Sequence, residues 1–158
     1  MVEIFRYDEN FDDWPELLSL LNKAFAYMES RISPPSSLHR LTAQSIAQKA
    51  LDGELLLARD NTTLVGCVFI EDREDVLYVG KLAVSEKYRN KGIATNLLAA
   101  CMEMAREKGK EELELQTRIE LIENHAYFRS QGFRKTGDTT HEGFDQPTSI
   151  TMRYRLAP

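Results

Sequence analysis

Four cations crowd one short stretch of an otherwise acidic chain: Lys81, Lys87, Arg89 and Lys91, in KLAVSEKYRNKGIATNLL (81–98). The apolar LAV run reads as the end of a strand. It enters a turn with Arg89, Lys91 and Gly92, and a helical pattern starts at once. The first N–H groups of a helix have no intrahelical acceptor, and a glycine beside them lets a ligand approach. Such a turn suits an anion, a phosphate above all. The stretch has neither the GxxxxGK[S/T] of a P-loop nor the GxGxxG of a dinucleotide fingerprint. A plain strand-to-helix turn with solvated basic residues would look the same locally.

Groups able to move a proton are scattered. His125 and His141 have side chains whose ordinary pKa lies near neutrality. His125 reads as a packing or surface histidine, and His141 falls in a polar loop, THEGFDQPTS (140–149). Glu71, Asp72 and Glu74 form a charged turn between two apolar runs, which reads as a solvated hairpin. Tyr127 and Phe128 are neighbours in ENHAYFRSQGF (123–133). On a helix they differ by about 100°.

The elements that must position these groups are legible from periodicity. VEIFRY (2–7) alternates as an opening strand. Trp14, Leu17, Leu18, Leu21, Ala24, Phe25 and Met28 make a helical stripe from Asp12 to about Ser30, with Asp12 or Asp13 as N-cap. Pro34 and Pro35 break it. Thr42 caps a second helix, closed by Gly53. ELLLARD, TLVGCVFI and VLYVGKLAV are three successive strands. A long helix runs from about Gly92 to Lys108 with Gly109 past its end. ELELQT, a helix over 121–131, and strands near Phe133–Lys135 and Ser149–Arg155 complete the chain. The order β-α-α-β-β-β-α-β-α-β-β makes a mixed α/β domain over residues 1–158, mostly antiparallel, with one late βαβ crossover.

Composition bounds the function. With 158 residues the chain suits one domain, and a net charge of −5 argues against nucleic acid as partner. Cys67 and Cys101 lie in apolar runs with no CxxC partner and read as buried thiols. No apolar run reaches the roughly 20 residues of a membrane span, and the first ten residues lack a signal peptide's pattern. A cytoplasmic protein without membrane contact is expected.

Arg89-Asn90-Lys91-Gly92-Ile93-Ala94 resembles the R/Q-x-x-G-x-G/A signature of the GNAT family of N-acetyltransferases, and AYFRSQGF (126–133) resembles its second signature, a helix closed by Gly-Phe. Their separation and the element order also match, so the resemblance covers nearly the whole chain. It implies acetyl-CoA as co-substrate, with no metal. The N–H groups from Arg89 to Ala94, with Thr95, would cradle the pyrophosphate, and the Arg89 and Lys91 side chains would offset its charge. Leu82, Ala83 and Val84 would pair with the pantetheine arm as an added strand does. In the family this strand splays from the next, here near Leu113–Thr117, and a backbone N–H in the gap polarises the acetyl carbonyl.

The resemblance also suggests the chemical partners. Some members carry a glutamate base eleven residues before the first signature, and that count lands on Tyr78. Tyr78 and His141 are therefore the catalytic candidates. A neutral phenol is a poor base, so Tyr78 reads as a wall or water holder and a water chain as the base. The acceptor side would draw on Tyr27, Met28, Arg31, Ser36 in the Pro34–Ser37 loop, His39, His141, Phe144 and Asp145, with Arg31 suited to a carboxylate. In members with a general-acid tyrosine, it lies four residues before the Gly of Gly-Phe. Here that residue is Phe128, so Tyr127 should face away while Asn124 and Phe128 lie beside CoA. The implied activity is direct acetyl transfer in a ternary complex to the primary amine of a small molecule or peptide. The alternative is an acyl-CoA-binding sensor without turnover. Pairing of SITMRYRL (149–156) with a second copy would give a homodimer.

Overall fold

A computed structural model describes residues 1–157. The elements follow the expected order: β1 (Val2–Arg6), α1 (Trp14–Phe25), α2 (Ala43–Asp52), β2 (Glu54–Asp60), β3 (Thr63–Asp72), β4 (Val76–Val84), α3 (Ile93–Glu107), β5 (Glu112–Arg118), α4 (Ile122–Ser130), β6 (Arg134–Thr139) and β7 (Ser149–Arg155). One seven-stranded sheet runs β1-β2-β3-β4-β5-β7-β6. All neighbours are antiparallel except β4 and β5, the pair joined through α3.

Alternation along the strands divides the core into two layers. Leu77, Val79, Leu113, Leu115, Ile150 and Met152 pack with the α3 stripe Ile93, Leu97, Leu98, Cys101, Met104 and Ala105. On the other face, Leu55, Leu57, Cys67, Phe69 and Ala83 meet Leu17, Leu21 and Ala24 of α1 and Ile46 and Ala50 of α2. Thr42 and Ser45 cap α2 reciprocally. Asp13 holds the N-cap position of α1 but makes no side-chain capping bond. Among the described residues no helix is long and apolar enough to cross a membrane.

Two irregularities shape the site. β4 and β5 pair only from Val76–Tyr78 to Glu112–Glu114, and beyond that each continues without the other. β4 also carries a bulge: Gly80 lies opposite Phe69 and Ala83 opposite Cys67, leaving Lys81 and Leu82 against Val68 alone. Lys81 takes φ 51° there, a left-handed conformation uncommon for a residue with a Cβ.

Three expectations need correction. The first helix ends at Phe25 and tightens into a 3-10 turn over Ala26–Met28, which lets Met28 and Ile32 bury against Leu121. β6 extends to Thr139, because RKTGDT is an edge strand whose polar residues face water on most positions. β7 lies between β5 and β6 with both edges paired, so 149–155 has no free edge for a second copy.

Candidate acyl-CoA groove and acceptor cleft

Where β4 leaves β5, a groove of about 900 Å³ opens. Its walls include Leu82, Ala83 and Val84 of β4, Arg89, Asn90, Gly92, Ile93, Ala94 and Thr95 at the start of α3, and Asn124, Tyr127 and Phe128 of α4. The sequence reading had assigned each of these except Tyr127 to the cofactor. Gly92 is the N-cap of α3 at φ 82°, and no side chain caps the helix. The first-turn N–H groups are therefore without an intrahelical partner. A Cβ on Gly92 would meet nothing within 4 Å, so the turn is an open cradle. Asn90 shares the left-handed conformation at φ 63°.

The cations divide into struts and free charges. Arg89 Nη2 donates to Ala24 O (2.9 Å) and Nε to Val84 O (3.4 Å), with the guanidinium 5.6 Å from the Tyr27 ring. Its charge sits on a carbonyl at the end of α1, a favourable place for a cation. Arg89 lines the groove but its side chain is engaged, which amends its expected role in offsetting phosphate charge. Lys91 is exposed and lies over the Tyr88 ring at 5.3 Å. Arg31 also lines the groove, but it pairs with Glu123 through Nη1–Oε1 (2.5 Å) and Nη2–Oε2 (2.9 Å). That bidentate pair holds the Glu123 carboxyl down to about pH 2 and occupies the fork expected to grip a substrate carboxylate.

Tyr127 does not face away. Its hydroxyl lies 2.9 Å from Thr95 Oγ1 in the first turn of α3, and its ring packs on Phe128 at 5.4 Å. Phe128 continues the contact to buried Phe133 (5.8 Å). The 100° between neighbours is real, but α4 lies along a wide groove, and an arc that broad takes in Asn124, Tyr127 and Phe128 together.

On the α1/α2 face a second cleft of about 680 Å³ reaches the same gap. Tyr78, Gly80 and Lys81 of β4, Gln116 of β5, Phe69 and Glu71 of β3, and Lys49 of α2 border it. The Arg73 guanidinium stacks 3.8 Å from the Tyr78 ring. Burial pushes the Tyr78 phenol up, so it is neutral and forms a wall. The sequence reading counts Lys81 only among the cations of its stretch, and Lys49 and Gln116 carry no role in it. The glycine inside VLYVGKLAV was the available sign, since a strand glycine often marks a bulge.

The remaining acceptor candidates lie apart from this cleft. Ser36 caps a short 3-10 turn, accepting from Leu38 N at 3.1 Å, in a separate hollow with His39. His39 pairs with Glu29 (3.1 Å). His141 is bonded through its backbone N–H and ring Nδ1 to Thr148 Oγ1. Burial and then the nearby Arg118 charge push its imidazole below the usual range. Buried His125 contacts Arg118 O through Nε2 (2.9 Å) and stands in the fold rather than in either cleft. Phe144 and Asp145 are exposed in the β6–β7 loop. Among the described residues no group of three or more His, Cys, Asp or Glu is placed to hold a metal.

Comparison with known proteins agrees with this geometry. The model of the acetyltransferase (GNAT) family matches residues 14–133. Human N-acetyltransferase 8 is 33% identical over 79 residues, which is 48% of this chain and only 35% of that protein's length. The PaiA N-acetyltransferase of Thermoplasma acidophilum, solved with coenzyme A, superposes with a TM-score of 0.81 at 15% identity, covering 98% of this chain and 99% of that one. A GNAT family acetyltransferase of Elizabethkingia anophelis, solved with acetyl-CoA bound, gives 0.71 at 21% identity, with 98% of each chain covered. These two share the fold.

Proposed function

The chain belongs to the GNAT acetyltransferase family, and we propose that it transfers acetyl from acetyl-CoA to the primary amine of a small molecule or peptide, with both substrates bound together. The observation that carries this reading is the parting of β4 from β5 directly beside the uncapped N-terminus of α3. The residues fit the co-substrate: an open glycine cradle for a pyrophosphate, an unpaired strand edge for an amide-bearing arm, and a gap reaching the opposite face.

Acetyl-CoA supplies an acetyl carbonyl activated as a thioester. The α3 N–H groups and Lys91 would hold the pyrophosphate, with the helix dipole adding to the attraction. Leu82–Val84 would align the arm through backbone bonds, and an N–H of that unpaired edge would polarise the carbonyl. Tyr78 and Gln116 would border the path of the amine on the other face. The carboxylates beside Tyr78 are already engaged: Glu71 pairs with Arg73 at 3.3 Å, and Glu114 with Arg73 at 3.3 Å and Arg153 at 2.8 Å. Water in the open cleft is the base in this reading, and water can protonate the leaving thiolate, whose ordinary pKa is about 8.5.

Release of CoA thiol from acetyl-CoA across an amine panel tests the reading. Amine-dependent release with an acetylated amine as product supports it. Tight CoA binding without release from any amine would favour a sensor module instead.

A further inference from the structure

The acceptor-side cleft contains an imbalance of charge. Two of its carboxylates are ion-paired, Glu71 with Arg73 (3.3 Å) and Asp72 with Lys110 (2.6 Å), and Asp52, which accepts from the neutral Gln48 amide (2.9 Å), leaves one negative charge against two lysines. Glu114, beneath the cleft, is buried between Arg153 (2.8 Å) and Arg73 (3.3 Å). Lys81 and Lys49 have no such partner among the described residues. Lys81 is half-buried on the bulge where the gap opens, and Lys49 reaches the same cleft from α2. Burial first and the Lys49 charge second push the Lys81 ammonium below its usual range.

Two like charges facing one cleft, one of them partly desolvated, are mutually destabilising, and an anion between them relieves both costs. We propose that Lys81 and Lys49 form an anion site in the acceptor cleft, and that the amine acetylated by this protein carries a carboxylate or phosphate group. This inference rests on the transferase reading above. The bulge gives it geometry: the extra residue in β4 puts Lys81 on the acceptor face beside Tyr78 and Gly80, where the acceptor must pass.

The test is calorimetric titration of matched amines into the CoA complex: an amino acid against its amide, and O-phosphoethanolamine against ethanolamine. Amine-dependent release of CoA thiol from acetyl-CoA, measured with the same amines, reports on the transferase reading separately, since CoA binding alone suits a sensor equally. In the wild type the anionic member of at least one pair should bind about tenfold tighter or better, the scale of one charged hydrogen bond. The carboxylate and phosphate pairs distinguish the two anions. Lys81→Ala and Lys49→Ala should each shrink that preference, and Lys81→Glu should abolish it, with circular dichroism verifying that each variant is folded. Equal affinity within both pairs, no binding by either anionic amine, or a preference surviving all three substitutions would overturn the proposal.

Discussion

Gly92 and Tyr127 each permit a one-atom test. At φ 82° with open space around its Cβ position, Gly92 tolerates asparagine, a residue at ease in the left-handed region. Gly92→Asn should hold acetyl-CoA affinity within about fivefold, whereas Gly92→Asp, the same shape with a negative charge at the phosphate, should lose about fiftyfold or more. Equal losses in a calorimeter would mean the turn acts through its shape and the anion cradle is misassigned. Tyr127→Phe removes the hydroxyl bonded to Thr95. The maximal rate should stay within about tenfold, since loss of a true general acid costs about 10²–10⁴-fold. A hundredfold fall with CoA affinity intact would make Tyr127 the acid. The groove-lining residues of the α3 turn were legible because such a turn depends on one glycine and one helix start. Tyr127 was misread because an angle between neighbours says nothing of how wide a surface the helix borders. The engaged arginines were hidden too: Arg31 and Arg89 are committed to Glu123 and Ala24, partners 92 and 65 positions away.

Elements meet around the groove through those same arginines. Arg31 fastens the segment after α1 to α4, and Arg89 fastens the α3 turn to the end of α1. The folded Glu123 carboxyl titrates near 2, against 4.5 ordinarily, because Arg31 bonds its charged form. A depressed folded pKa stabilises above the ordinary value and loses that contribution as pH falls through the folded one. The melting temperature of wild type should therefore exceed that of Glu123→Gln at pH 7, by a small margin for so exposed a pair. The margin should close as the pH is lowered from about 5 toward 2. A margin independent of pH would show that the tie works through packing alone. Element order was readable throughout, since Leu97, Cys101 and Met104 mark α3, continuous apolar runs mark β2 and β3, and alternation marks β5. The ends were less so. Met28 carries the α1 stripe past the point where the helix tightens, and polar β6 has no apolar alternation to display.

The whole molecule is a sheet opened along one seam. The α3/α4 face presents the groove beside the α3 turn, the α1/α2 face presents the cleft with Lys81, and both border β4 where it parts from β5. That arrangement favours two substrates meeting in the gap over an acetyl group carried by the protein. Both cysteines are buried with their thiols pushed up to about 12, which leaves neither as a ready nucleophile. Initial rates measured while varying acetyl-CoA and an active amine together decide the matter most directly. The account predicts double-reciprocal lines that intersect, the pattern of a ternary complex. Parallel lines, with an acetylated protein trapped when the amine is withheld, would contradict it.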